Sequence, residues 1–342
     1  MPYPFLMKIS VIGASGYAGG ELLKFISLHS DFQLHHIAAG NNAGELITDL
    51  HPHLIEFAGR KFEAIEFEKI NQSDLVFVAL PHGEASKLVS KIDANVKIVD
   101  LGADFRLKDG GQWRKYYSGE YAGHWTYGLP ELVDHQTIAT SLRVANPGCY
   151  ATAISLAIAP ALDFIDCNDI VVVASSGTSG AGRNAKVNLP HTKFSNNLSS
   201  YKFGGLHQHT PEIEQILAQQ AGAQVRISFT PFLVPIDRGI LATVTAKVLK
   251  DVSIEQMRSE FVDFYKDCQF IEILAEPELP DTLSVLGTNN VKIQLAFDSH
   301  VNRLIVSSSL DNLTKGAATQ AIQNANLMFG LPEQSGLIKV GT

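Results

Sequence analysis

The side chains best suited to chemistry in this chain are one cysteine and two histidines. Cys149 stands in the stretch Arg143-Val-Ala-Asn-Pro-Gly-Cys-Tyr-Ala-Thr-Ala153. Asn146-Pro147-Gly148 is turn chemistry, and 151–159 is an apolar run of helix formers without interior Gly or Pro. This predicts a helix N-terminus at Cys149, where unpaired N–H groups and the positive end of the macrodipole favour a thiolate and pull the thiol below its free pKa of about 8.5. Such a thiolate attacks activated acyl groups. The competing reading is a small buried hydrophobe. His207 and His209 lie in Tyr201-Lys-Phe-Gly-Gly-Leu-His-Gln-His-Thr-Pro-Glu-Ile-Glu214, just before a helix that Thr210 as N-cap and Pro211 at the first position would open. An imidazole is the usual partner of a cysteine nucleophile. Two polar loop residues are the alternative.

A second constellation lies near the amino terminus. Lys8-Ile-Ser-Val-Ile12 has strand character, Gly13, Gly16 and Gly19 follow, and Glu21 to Leu28 has a helical pattern. Strand, glycine loop and helix together form a dinucleotide cradle, with the pyrophosphate at the helix N-terminus. The order is GxxGxxG rather than GxGxxG. Gly13, Ser15, Gly16, Tyr17 and Gly19 are the cofactor candidates of this loop. After the second strand, Gln33 to Ala39, comes Gly40-Asn41-Asn42, without the acidic residue that takes a ribose 2′-OH in NAD sites and without a basic one for a 2′-phosphate. The absent acid favours NADP(H). His35 and His36 read as strand residues.

These groups need a scaffold. Strand signals at 74–80 and 96–101, the former followed by Pro81-His82-Gly83 opening a helix, alternate with helices and predict a parallel sheet. Arg106, in Gly-Ala-Asp-Phe-Arg at that sheet's carboxyl end, is an anion-clamp candidate or else a surface arginine in a capping loop. Beyond a helix that Pro160 should interrupt come strands at 169–174, 225–230, 239–248, 291–297 and 302–308, with few intervening helices, one of them over 253–266. That predicts an α+β domain with a mostly antiparallel sheet. Ser175 to Arg183 reads as an N–H-rich loop, Phe194 to Ser200 as a mobile surface loop, and Asp311 to Met328 as one long helix. The fold class is thus α/β: a Rossmann-type parallel-sheet cofactor domain, 1–148 and 312–342, plus an α+β catalytic and oligomerisation domain, 149–311.

Composition narrows the partners. At 342 residues one core is too few. The net charge of -8 gives no attraction for nucleic acid, and no apolar run reaches membrane-spanning length. Cys149, Cys167 and Cys268 are odd in number and widely spaced, which argues against disulfides and structural zinc and predicts no metal site. The amino-terminal apolar patch has neither basic flank nor cleavage site, so a cytoplasmic location is expected.

With these residues in view, the chain resembles the N-acetyl-gamma-glutamyl-phosphate reductases, arginine-biosynthesis enzymes related to the aspartate-semialdehyde dehydrogenases. The motifs are Gly-Ala-Ser-Gly-Tyr-Ala-Gly-Gly-Glu-Leu-Leu23, Leu-Gly-Ala-Asp-Phe-Arg106, Tyr-Gly-Leu-Pro-Glu-Leu132, Asn-Pro-Gly-Cys-Tyr150, Ser-Gly-Ala-Gly-Arg183, His-Gln-His-Thr-Pro-Glu-Ile213 and Asp-Asn-Leu-Thr-Lys-Gly-Ala-Ala318. The resemblance implies that Cys149 accepts the acyl group of an acyl phosphate, that His209 or His207 is its acid–base partner, and that NADP(H) is the cofactor. It implies further cofactor contacts at Ser179, Gly180 and Asn312, the last approaching the nicotinamide from the final helix. Arg106, Asn146 and Lys202 are the implied substrate residues, and a homodimer or homotetramer the implied assembly. The chain departs from the family at Gln208, usually arginine, and at Gly40-Asn41, where a Ser-Arg pair is common. Met7 is a plausible natural start. The rival readings are a reductase of aspartyl or carrier-bound aminoadipyl phosphate, and a dinucleotide-binding regulator without chemistry.

Overall fold

A computed structural model of the protein describes residues 6–183, 197–250 and 252–338. The expected amino-terminal patch through Phe5 and residues 194–196 of the expected surface loop lie outside the described residues. The chain divides into two units: Met1–Arg114, Ser118–Pro147 and Ala317–Leu337 form the first, and Lys115–Tyr117, Gly148–Gly316 and Ile338–Thr342 the second. The late boundary therefore falls after Gly316 rather than after 311, and Ile338 belongs to the second unit.

The first unit is built on six strands among the described residues: β1 (Met7–Ile12), β2 (Phe32–Ala38), β3 (Leu75–Val78), β4 (Lys97–Asp100), β5 (Thr126–Tyr127) and β6 (Arg143–Ala145). They pair in the order β2-β1-β3-β4-β6-β5, all parallel. Every residue of β3, Leu-Val-Phe-Val, is buried, as a parallel strand covered on both faces requires. Ile12, Val76, Val78, Ile98 and Ala145 form a core beneath Phe105, whose ring stacks on Trp125 at 3.8 Å. The helix expected after Pro81 is only the short Ala85–Leu88 turn.

Helix α1 (Tyr17–Ser27) and the late helix α5 (Thr319–Phe329) pack against each other, and α5 also meets β4. The α5 surface is polar yet buried, so its side chains are stitched to backbone: Asn324 Nδ2 donates to Gly128 O at 2.8 Å, and Asn326 Nδ2 donates to Glu333 O and Ser335 O. The long helix expected from Asp311 is in fact a turn, a π-helical stretch at Thr314–Ala318, and then α5. Asn312 lies before the helical part.

The second unit carries a mixed, mostly antiparallel sheet, seven-stranded among the described residues: β7 (Ile165–Ser176), β8 (Ser199–Ser200), β9 (Ile227–Leu233), β10 (Ile240–Val248), β11 (Ile271–Ile273), β12 (Val291–Asp298) and β13 (Arg303–Leu310). Its order is β11-β12-β13-β10-β7-β9-β8. Along β7 and β10 burial alternates: Ile170, Val172 and Ala174 face inward with Ala242, Val244 and Ala246. Onto that inner face lies α2 (Cys149–Ile158), buried from Tyr150 to its end, with the Ser308 hydroxyl donating to Ala153 O at 2.9 Å. Helices α3 (His209–Ala221) and α4 (Ile254–Tyr265) complete this layer; the Tyr265 hydroxyl donates to Leu156 O at 2.6 Å. Helix α2 gives way at Pro160 to a 3-10 turn, as expected. Ser199 and Ser200, read as loop, pair with β9 instead.

Candidate active site

In the first unit, β1 runs into the glycine loop and α1 begins immediately after Gly16. Gly13 has φ 86, and a Cβ there would collide with the Ala79 carbonyl oxygen. At Gly19 a Cβ would come within 2.6 Å of Ala14 Cα. The first glycine therefore makes the turn and the third lets helix and loop touch. Helix geometry leaves the N–H groups of the first turn without intrahelical acceptors, and they point where an anion binds. Tyr17, at the helix start, is 39% exposed. These features fit a dinucleotide. After β2, Asn42 Nδ2 donates to Glu45 Oε1 at 3.1 Å, so Asn41 is the exposed amide of that loop.

The loop after β4 is fastened by two carboxylates that the sequence did not signal. Asp104 accepts the Gly83 N–H at 2.5 Å and the Ser86 N–H at 2.9 Å, tying this loop to the one after β3. Asp100 is fully buried; its Oδ1 accepts the Gly102 N–H at 2.9 Å, and burial pushes its pKa up to about 7. Arg106 is buried, not a surface residue: Nε donates to Asn146 O and Nη2 to Leu101 O, both at 2.8 Å. Asn146, expected at the substrate, donates through Nδ2 to Ala317 O at 3.1 Å and accepts from Asn324 Nδ2 at 3.1 Å. Its side chain thus holds the turn that leads to Cys149.

In the second unit Gly148 is the N-cap of α2 and Cys149 its first residue. That is the location where a thiolate is favoured. The turn is held from α3: Glu212, fully buried, accepts the Gly148 N–H through Oε1 at 2.7 Å. On the other side Gly316 is indispensable, because a Cβ there would sit 2.7 Å from Cys149 Cβ. Cys167 and Cys268 lie elsewhere in the unit, on β7 and beyond α4.

Helix α3 begins earlier than expected, with Gln208 as N-cap and His209 as first residue; Thr210 and Pro211 lie inside the first turn. Both imidazoles are thereby fixed beside Tyr150. The His207 and His209 ring centres are 4.8 Å apart, and those of Tyr150 lie 5.3 and 6.1 Å from them. Tyr201 closes the group, its hydroxyl donating to the Tyr150 hydroxyl at 3.3 Å, and that one donating to Phe232 O at 3.2 Å. Burial first, and the Cys149 charge as a lesser cause, raise both phenols, Tyr201 to about 12 in all, so thiol and rings share one site. The His209 N–H donates to His207 Nδ1 at 3.1 Å, which leaves the neutral His207 its proton on Nε2. Burial, then the fields of His209 and Lys202, lower the His207 pKa to about 2.

The unit's remaining expected residues also come together. Asn312 accepts the Gly239 N–H through Oδ1 at 2.7 Å and donates to Ser179 Oγ at 3.0 Å; a Cβ on Gly180 would lie 3.7 Å from Asn312 Nδ2. Asp311 anchors this turn, pairing with Arg238 at 2.9 Å and accepting the Gly287 N–H at 2.8 Å. Ser175 and Ser176, read as loop, end β7, and Thr178–Ala181 is a 3-10 turn. Sequence reasoning missed Glu212, Tyr150 and Tyr201. The one signal was spacing: Glu212 follows His209 by three, which places both on one helix face. Among the described residues no group of three His, Cys, Asp or Glu could hold a metal ion.

A glycine-cradle unit on a parallel sheet, followed by a unit whose first helix starts at a cysteine beside two histidines, is the architecture of semialdehyde dehydrogenases. Residues 8–140 match the family model "Semialdehyde dehydrogenase, NAD binding domain", and 149–312 match "Semialdehyde dehydrogenase, dimerisation domain". Aspartate semialdehyde dehydrogenase II of Vibrio cholerae, solved with its ligand ASA, superposes with a TM-score of 0.72 over 95% of this chain and 98% of that one, at 17% identity. The Candida albicans aspartate semialdehyde dehydrogenase with NADP gives 0.68 over 95% and 98%, at 16%. At such identities these two establish the fold. Full-length relatives carry the assignment further: proteins named N-acetyl-gamma-glutamyl-phosphate reductase from Acidothermus cellulolyticus (48% identical, 98% of each chain), Renibacterium salmoninarum (46%, 98% and 99%) and Streptomyces coelicolor (44%, 98% of each). The chain belongs to the N-acetyl-gamma-glutamyl-phosphate reductase family.

Proposed function

We propose that the protein reduces N-acetyl-gamma-glutamyl phosphate with NADPH, giving N-acetylglutamate semialdehyde and phosphate. The observation that carries this reading is Cys149 at the start of α2, its turn held by Glu212 and its surroundings shared with His207, His209, Tyr150 and Tyr201. The Cys149 thiolate attacks the acyl carbon, the carbon–oxygen bond to phosphate breaks, and a thioester forms on Sγ. His209 gives its proton to the departing phosphate oxygen. His207, buried and neutral with its hydrogen on Nε2, donates to the oxyanion rather than moving protons. NADPH, when bound, supplies the hydride that reduces the thioester. Release of the aldehyde then restores the thiolate.

The glycine loop with Gly13, Ser15, Gly16, Tyr17 and Gly19 holds the dinucleotide, and Ser179, Gly180 and Asn312 are the second unit's cofactor residues. Asn41 is the 2′-phosphate donor, since Asn42 already serves Glu45. The reaction belongs to the cytoplasm. The outer face of the seven-stranded sheet seats a second copy in a homodimer or homotetramer: Val171, Val173 and Leu241 are exposed there, beside Ile305, which lies opposite Thr245.

Cys149→Ser tests the chemistry. The variant should bind NADPH with affinity close to the parent's and show no reduction, because a serine hydroxyl is not ionised near neutrality. Phosphate released by it in a single rapid turnover would overturn the thioester route.

A further inference from the structure

The segment between β8 and α3 has an unusual backbone. Lys202, Gly204 and Gly205 have φ of 44, 77 and 78. Glycine suits such angles, whereas a lysine does not. Among the described residues the only other non-glycine at positive φ is Asn302, a type that tolerates it. A side chain kept at an unfavourable backbone angle beside reactive groups is held there by its surroundings and merits a functional account. The Lys202 ammonium donates to Gln208 Oε1, and Gln208 lies between the two site histidines. Its field reaches His207 and opposes protonation of that ring. Gln208 is neutral, so the positive charge at this corner comes from Lys202. Lys202 is open to solvent, in contrast to the buried His207, and partial burial lowers its pKa.

We infer that Lys202, steered by Gln208, is the specificity-determining cation of the site: it takes the carboxylate on the substrate's α-carbon and turns away acyl phosphates bearing an α-ammonium. This rests on the acyl-phosphate reading above. The two ligand classes differ at that carbon. An N-acylated amino acid presents a carboxylate beside a neutral amide, whereas aspartyl phosphate presents a carboxylate beside a cation that Lys202 repels. A charged hydrogen bond of ordinary strength corresponds to about ten- to a hundredfold in affinity.

The test compares the wild type, Lys202→Met and Lys202→Arg on three substrates: N-acetyl-gamma-glutamyl phosphate, aspartyl phosphate and 4-acetamidobutyryl phosphate, which lacks the α-carboxylate. For the first, Lys202→Met should raise KM about ten- to a hundredfold with kcat within about twofold, and Lys202→Arg should restore most of the loss. The preference over aspartyl phosphate should narrow. KM for the carboxylate-free compound should not move. Wild-type turnover with a KM that Lys202→Met leaves unchanged, or raises equally with and without the carboxylate, overturns this inference alone. A wild type that reduces none of the three overturns the functional reading as well.

Discussion

Asp100 and His207 are buried ionisable groups whose neutral forms are favoured, and they tilt stability with pH in opposite directions. The His207 pKa is lowered from 6.5 to about 2, so the unfolded chain binds a proton that the folded one refuses. Its contribution is complete above pH 6.5 and is lost as pH falls below that value. The Asp100 pKa is raised from 3.8 to about 7, so between those values the folded chain keeps a proton that the unfolded one has released. Its contribution is complete below 3.8 and is lost as pH rises through 7. Asp100→Asn keeps an acceptor for the Gly102 N–H and removes the ionisation. Denaturant unfolding should show the variant gaining on the parent between pH 4 and pH 7, by at most about 1.4 kcal/mol per pH unit. Parallel stability curves would show that Asp100 is not held neutral. Cys149 and the glycine loop were legible in the sequence because a turn and a helix start are local events. Glu212 was not, because it meets Gly148 across 64 residues and no local rule encodes that pairing.

At the scale of elements, the stretch from Asp311 shows what periodicity hides. Leu-Thr-Lys-Gly-Ala-Ala-Thr satisfies a helical pattern, and an unbroken helix is the natural expectation. The surroundings dictate otherwise: the Asp311 carboxylate takes the Leu313 N–H at 2.8 Å, the Thr314 hydroxyl donates to Thr288 O, and Lys315 is fully buried with its ammonium 5.9 Å from the Phe270 ring centre. The result is a π-helical turn that brings Gly316 against Cys149. Gly316→Ala should therefore act on both fold and chemistry, costing about 1–3 kcal/mol by overpacking and lowering kcat at least tenfold through displacement of the thiol. Thermal unfolding and steady-state kinetics would read the two effects. An alanine variant with native melting and native kcat would mean that the turn yields easily. The strands β7, β10, β12 and β13 were legible because apolar runs or alternation mark them, whereas β8 and β11, two and three residues long, are set by their neighbours.

For the molecule as a whole, the outer sheet face carries the prediction about assembly. Val173 is 47% exposed and Leu241 37%. Val173→Asp should leave the fold intact, since the side chain points away from α2, and should shift the mass measured by light scattering toward that of one chain. A mass unchanged at micromolar concentration would move the interface elsewhere. The division into a parallel-sheet unit and a mostly antiparallel one was legible from the change in strand and helix spacing, and its limit at Pro147 lies one residue from the expected one; the limit at Gly316 was not legible, because it is defined by packing.

The first unit is assembled from separated pieces of chain, and its last piece, Ala317–Leu337, follows nearly all of the second unit in sequence. Order of synthesis and order of completion therefore run opposite ways. During translation the early strands leave the ribosome while the helix that covers them has yet to be made, and the unit begun second is the one that can close first. A message cut short before codon 319 would spare nearly all of the later-made unit and cripple the one made earliest. The nascent sheet must also remain soluble for as long as that helix is missing, so this interval, rather than any property of the finished enzyme, is where dependence on chaperones should concentrate.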